Sequence, residues 1–443
     1  MPAPERRAPR ADPLAELLAG DYRDPQTGEP LRAPVRSLVI EDDLRDREVE
    51  LVAALELGTH LAVVGDDDTF AALGDRVAAA LSSRFSVQRI SLGRRPHADA
   101  VTLAKLCQTL APRTDAVVAV GSGTINDLCK LAAKARSCPQ LVFATAPSMN
   151  GYTSVSASIT EDGLKRSMRA NTPVGVFFDL SVLAAAPPRL LRAGLGDSLC
   201  RSTAQADWLL AHLLLDQPYR EAPFAMLAAD EALLCAEPQA LMAGDIAMMR
   251  SLARTLALSG FGMTICGGSY PASQGEHLLG HYVDMLGLAT KHSFHGEQIG
   301  VATLAMARLQ QSLLAEESPP RLAPSGLSYE RLAAHFGAAL GKSCWEEARA
   351  KCFDAPRTDQ LNERLHARWP AMRQRIAAVT RPAEELLSTL RAAGAATTPG
   401  QLGWSQGTFA AALVHAREIR NRYTFLDLAA DASLDVVALA TSA

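Results

Sequence analysis

The chain has 443 residues, 48% of them hydrophobic, a net charge of −4 and eight cysteines. The length exceeds one ordinary core and points to two or three domains, while the mildly negative balance excludes an electrostatic footprint for nucleic acid or an anionic membrane. No run approaches about 18 uninterrupted apolar residues, no apolar stretch follows the basic N-terminus, and the scattered cysteines form no CxxC pair, so neither membrane insertion nor secretion is expected and the thiols read as reduced and cytoplasmic.

Residues 1–35, rich in Pro, Arg and Asp, read as a loosely ordered lead-in. From 36 to 187, "HLAVVG" (60–65), "AVVAVG" (116–121), "QLVFATA" (140–146) and "VGVFFDL" (174–180) alternate with helix-length stretches. Apolar runs of this kind predict parallel strands covered on both faces, hence an α/β domain. Pro187-Pro188 marks the expected boundary. Beyond it strand signals nearly vanish, and 188–443 reads as an all-α domain interrupted by the Pro-rich loop "EESPPRLAPSG".

The second of these strands runs into Gly121-Ser122-Gly123-Thr124, with a helix expected to open near Ile125. Backbone N–H groups and a helix N-terminus converge there, as phosphate binding requires, although a tight turn without a ligand has the same sequence. The order departs from a Rossmann domain, where the glycine loop follows the first strand. The acidic run Asp66-Asp67-Asp68 closes an earlier strand and reads either as an acceptor for an adenosine ribose or as a solvated loop. Downstream, "ATAPSMNGYTSVSASIT" gathers Thr145, Ser148, Asn150, Thr153 and Ser154 after another strand, which fits a ligand crevice or an ordinary polar loop. In "RAGLGDSLCR", Asp197 follows two glycines at the expected start of a helix, where a capping role is the plain alternative.

Four of the ten histidines fall in "GEHLLGHYVDMLGLATKHSFHGEQIG" (275–300). If "HLLGHYV" is helical, His277 and His281 share one face a turn apart. Such a pair suits a metal or an anion and also arises by chance.

Taken together, "GSGTINDLCK", "TAPSMNGYTS", "AGLGDSLCR", "PASQGEH" and "HGEQIG" resemble, in order and spacing, the sn-glycerol-1-phosphate dehydrogenases of the iron-containing alcohol dehydrogenase and dehydroquinate synthase superfamily. The similarity runs over roughly 35–430 and takes in "AREIRNRYTFLDL" near the C-terminus. It implies a dehydroquinate synthase-like fold and a metal-dependent NAD(P)-linked oxidoreductase that interconverts dihydroxyacetone phosphate and sn-glycerol 1-phosphate or a related polyol. It further implies that Asp197, His277 and His295 hold one divalent metal and that His281 serves the substrate phosphate. Gly121, Ser122, Gly123, Thr124 and Ile125 would cradle the cofactor pyrophosphate, and Thr145, Ser148 and Ser154 would line the nicotinamide side. Zinc is the expected metal, with iron and nickel as alternatives. Asp66 favours NAD over NADP if it meets the ribose, and a homo-oligomer is expected. Lys165 matches a family lysine, and His292 has no role assigned by the resemblance.

One departure concerns the substrate. Relatives usually carry Asp, in contact with the substrate hydroxyl, where this chain has Asn150. Asn keeps hydrogen bonding but removes a charge and the capacity to take a proton. The change favours an anionic substrate and weakens a proton relay. A dehydroquinate-synthase-like lyase using NAD transiently, and a cofactor-binding relative without turnover, are the competing readings.

Overall fold

The computed structural model describes residues 12–161 and 164–442, without the side chains of 164–166. Six strands form one parallel sheet: β1 (Ser37–Glu41), β2 (His60–Gly65), β3 (Ser86–Ser91), β4 (Ala116–Gly121), β5 (Gln140–Ala144) and β6 (Gly175–Asp179). Their spatial order is β1-β6-β5-β4-β2-β3. The four apolar runs seen in the sequence are the four central strands. They are buried on both faces because successive residues feed opposite cores: Val63 and Val118 pack with Phe70 and Phe143, whereas Val64 and Val117 pack with Leu128 and Val142.

From β2 the chain steps to the edge strand β3 and then returns across the sheet to β4. Strand order therefore reverses between β2 and β4, and the loops leaving those two strands diverge to open a crevice at their carboxyl ends. This explains the displaced glycine loop. It follows β4 and not the first strand, yet it shares the switch point with Asp66 at the end of β2.

The lead-in is more regular than its composition suggested. From Pro13 it forms the helix α1 (Pro13–Ala19), capped by Asp12, and then a small antiparallel pair, Tyr22–Arg23 with Pro30–Leu31. Leu14, Leu17 and Tyr22 bury their apolar surface in the main core, which holds the segment in place. Residues 1–11 lie outside the described part.

After β5 an antiparallel pair, Ser156–Glu161 with Leu164–Arg169, interrupts the α/β pattern before β6. From Pro188 onward the described residues form helices only. Five helices matter for the site: α2 (Gly123–Ala135), α3 (Pro188–Leu199), α4 (Ile246–Ile265), α5 (Gly275–Met285) and α6 (His295–Ala315). One core cluster joins the sheet to α3 and α4 through Leu191, Leu195, Leu252 and Leu256, so the helical half is seated directly on one face of the sheet.

Candidate active site

The glycine loop turns as its chemistry demands. A Cβ on Gly121 would stand 2.5 Å from the Ile125 side chain, so only glycine lets the strand fold straight into α2, which begins at Gly123. Ser122 occupies the cap position with extended backbone, and Thr124 and Ile125 follow in the first turn. A Cβ on Gly123 would meet Met149 at 3.5 Å, which brings the loops after β4 and β5 into contact.

Asp66 caps a short helical turn. Its Oδ1 accepts the Thr69 N–H at 2.7 Å, and its own N–H donates to Thr69 Oγ1 at 2.9 Å. Asp67 accepts the Ser91 hydroxyl at 2.7 Å. Asp67 and Asp68 are exposed, and Asp66 is half-buried at the switch-point crevice.

Thr145, with its N–H donating to Gly121 O at 3.2 Å, is buried beside the glycine loop, and Ser148 is partly exposed at the loop after β5. Ser154 departs from the expected role. It is 1% exposed, and its hydroxyl is engaged by Lys130 Nζ at 3.2 Å and by the carbonyls of Gly151 and Ser156, each at 3.1 Å, so it does not face the crevice. Lys165 stands in the strand paired with Thr160, and its side chain is outside the described part.

Asp197 also sits differently from the sequence expectation: in the last turn of α3, nine residues after Pro188, not at a helix start. The two glycines before it are packing residues. A Cβ on Gly194 would stand 1.7 Å from Pro147 O, and one on Gly196 would stand 2.2 Å from Gly296 O. On α6, a Cβ at Gly296 would meet Ala193 O at 1.8 Å. Helices α3 and α6 thus touch main chain to main chain, and that contact delivers Asp197 beside His295 at the first position of α6.

His277 and His281 lie on α5, as the four-residue spacing required. The three rings form a triangle, with centroids 5.0 Å apart for His277 and His295 and 5.9 Å for each pair involving His281. One ligand atom each from Asp197, His277 and His295 lies within 4.8 Å of the others. Asp197 Oδ2 accepts the Asn150 N–H at 2.9 Å, whereas Oδ1 is buried without a hydrogen bond, 3.8 Å from His277 Nε2. Burial pushes the Asp197 carboxyl above the usual range, opposed by His277 and by the Asn150 N–H. Burial disfavours the ionised carboxylate and its unbonded oxygen, a cost that a cation would offset, and the donor set of one carboxylate and two imidazoles fits a catalytic metal with open positions.

Sequence reasoning missed Glu276. Its Oε1 lies 2.9 Å from His277 Nδ1, which fixes the ring as the Nδ1–H tautomer and leaves the Nε2 lone pair facing Asp197. Adjacent residues on an ideal helix do not face each other, so no spacing rule announced this pair. Cys200, Glu276 and His277 form a second close grouping. There the Cys200 thiol lies 3.1 Å from the Asp197 carbonyl and is pushed far above its usual pKa by burial, while Glu276 already accepts the Gln274 N–H at 2.8 Å. The thiol is therefore held protonated, and the first grouping is the better cation site.

Asn150 reaches the same cleft. Its side-chain amide donates to Ser259 Oγ at 3.2 Å, and Asn150, Asp197, Ser259 and Ala272 line a small cavity. His292 is exposed, with its ring edge-on to Phe294 at 5.1 Å. All eight cysteines are free thiols, and among the described residues no helix is long and apolar enough to cross a membrane.

The profile of the iron-containing alcohol dehydrogenase family matches residues 39–187. A glycerol-1-phosphate dehydrogenase, NAD(P)+, from Halalkalibacterium halodurans is 34% identical over 260 residues, spanning 57% of this chain and 65% of that protein. The Geobacillus stearothermophilus protein of the same name is 30% identical over 405 residues, spanning 89% of this chain and 92% of that protein. Among solved structures, a probable glycerol dehydrogenase from Sinorhizobium meliloti 1021 superposes with a TM-score of 0.61 at 16% identity, covering 92% of this chain and 98% of that one. With a relative matched over nearly its whole length, the chain belongs to the family of the glycerol-1-phosphate dehydrogenases, NAD(P)+, and its residues 39–187 carry the iron-containing alcohol dehydrogenase profile.

Proposed function

We propose that this chain interconverts a ketone and a secondary alcohol on a small phosphorylated substrate, dihydroxyacetone phosphate and sn-glycerol 1-phosphate or a close polyol phosphate. Residues 36–187 bind NAD in preference to NADP, and 188–443 hold the metal and substrate. The observation that carries this reading is the convergence of Asp197, His277 and His295 around a buried carboxylate oxygen that lacks a hydrogen bond. When bound, a divalent ion supplies Lewis acidity toward a carbonyl oxygen, and the nicotinamide supplies or accepts the hydride.

The chain's own residues divide the remaining work. Asp197, His277 and His295 hold the ion, with Glu276 orienting His277. His281, partly exposed one turn beyond His277, offers a donor to the substrate phosphate. Asn150 presents an amide able to orient a substrate hydroxyl but unable to accept its proton. The turn from Gly121 to Ile125, with Ser122, Gly123 and Thr124, receives the pyrophosphate at the amino end of α2. Zinc is the proposed resident metal, and a cytoplasmic homo-oligomer is the proposed working form.

The test is metal analysis of protein purified without chelator, followed by a screen of polyol phosphates and free polyols with NAD and NADP. One equivalent of zinc and net NADH turnover on a phosphorylated polyol are expected. NAD binding without net NADH turnover on any of them would overturn the reading in favour of a lyase or of a cofactor-binding relative without turnover.

A further inference from the structure

Lys130 lies two turns into α2, 1% exposed, with the Asp127 carboxylate one turn back as its charged neighbour. Its Nζ donates to Gly151 O at 2.5 Å, Ser154 O at 2.9 Å, Ser156 O at 3.1 Å and Ser154 Oγ at 3.2 Å. A buried ammonium depends on those acceptors, because any shift of the 151–156 segment leaves its N–H groups without partners. One turn back on the same helix face, Asp127 Oδ2 accepts the Ser158 N–H at 2.8 Å. Helix α2 therefore holds this segment through two charged side chains.

The residue immediately before the clamp is Asn150, whose N–H fixes Asp197 Oδ2. The far side of the segment is equally constrained: Thr153 Oγ1 donates to Ala257 O at 2.7 Å, and a Cβ on Gly260 would stand 2.0 Å from Thr153 Oγ1. Resting on the proposed metal site, we propose that Lys130 is a positioning residue: by clamping Gly151 and Ser154 to α2, it sets the Asn150 peptide that orients Asp197 and ties the carboxylate ligand to the helix whose amino end carries the glycine loop. The clamp gives the two halves of the site a mechanical link without either ligand touching the other.

The test compares wild-type protein with Lys130→Met, which keeps the length and removes the donors. Co2+ affinity is read by competition with a chromogenic chelator, ion geometry by the visible spectrum of the Co2+ form, and NADH binding by fluorescence with and without metal. The variant is expected to bind Co2+ about tenfold more weakly, the lower end of the loss for a group bonded directly to a ligand, because Lys130 acts one step further out, with an altered spectrum. NADH binding to the metal-free variant should stay within about threefold of wild type, and the influence of metal on NADH affinity should shrink. Co2+ affinity within about twofold of wild type and an unchanged spectrum in a cooperatively folding variant would overturn the proposal. Where Lys130→Met folds too poorly to titrate, Lys130→Gln, which retains two N–H donors, carries the same comparison with a smaller expected loss. If neither folds, Lys130 serves stability alone and the proposal falls. Failure of wild-type protein to bind Co2+ at all would instead overturn the metal site itself, so the two failures are distinguishable.

Discussion

Asn150 holds Asp197 by one oxygen only: its main-chain N–H donates to Oδ2 at 2.9 Å, and Oδ1 is left buried and unbonded, turned toward His277. The peptide fixes the carboxylate plane whatever side chain residue 150 carries, and leaves the remaining oxygen available to the proposed ion.

Replacing His277 or His295 by Ala should remove most of the bound metal, and more than about 100-fold of the activity, since a ligand loss exceeds that of an outer-shell partner. Both rings lie on helices outside the parallel sheet, so the sheet should keep its circular dichroism and NADH binding. Full metal occupancy by elemental analysis in either variant would end the assignment.

NAD should bind at least about tenfold more tightly than NADP, because a carboxylate at the end of β2 repels a 2′-phosphate. Asp66→Ala should shrink that ratio and also cost about 1 kcal/mol of stability through the lost cap on Thr69. Calorimetric titration of both nucleotides checks the first part, and equal affinities in wild type would remove Asp66 from the cofactor site.

Asn150→Asp keeps the main-chain bond to Asp197 and places a second carboxylate beside Ser259. The substitution should raise kcat/KM for dihydroxyacetone phosphate and lower it for the natural substrate if that substrate is a different polyol phosphate, because the new group can take a proton from a bound hydroxyl. Strong wild-type activity on dihydroxyacetone phosphate, unchanged by the substitution, would mean that Asn150 does not tune the substrate.

Gly196→Ala forces a methyl to within 2.2 Å of Gly296 O. It should cost about 1–3 kcal/mol, the range for overpacking, and reduce metal occupancy by moving Asp197 away from His295. Gly300→Ala, whose added carbon meets nothing closer than 3.4 Å, should be much milder. Similar melting temperatures for the two variants would contradict the close main-chain contact.

Burial pulls the Lys130 ammonium down to about 8 from its ordinary 10.5. The folded state therefore sheds this proton before the unfolded chain does. Below pH 8 the penalty of burying the charge is fully present, and it is relieved as pH rises toward 10.5. Relative to Lys130→Met, wild-type stability should climb by up to roughly 1.4 kcal/mol per pH unit across that window. Urea unfolding of both proteins at pH 7.5, 9 and 10 measures it, and a constant difference would show that Lys130 does not titrate there.

The central strands were legible because burial on both faces leaves continuous apolar runs, as in β4 and β5. The edge strands were not: β3, "SVQRIS", pairs on one side and exposes Ser86, Arg89 and Ser91, so its sequence lacks such a run. Asp197, His277 and His295 were found through motif resemblance, since nothing in their separation along the chain announces a shared site. The position of Asp197 was misread because Gly194 and Gly196 resemble helix-start punctuation, whereas they remove side chains between α3 and its neighbours. Glu276 and Lys130 escaped notice for a common reason. Each acts on main chain or on a neighbouring ring that only the tertiary fold brings near.

The glycine contact between α3 and α6 also decides which part of the site can yield. With two bare backbones already touching, the span from Asp197 to His295 is fixed by the thickness of the polypeptide itself, and no rotamer change brings the two helices closer. His277 arrives on a separate helix, α5, and is steered by a side chain, Glu276. At the proposed ion site, adjustment to ions of different radius is therefore expected from the side chains of α5 and not from the spacing of α3 and α6.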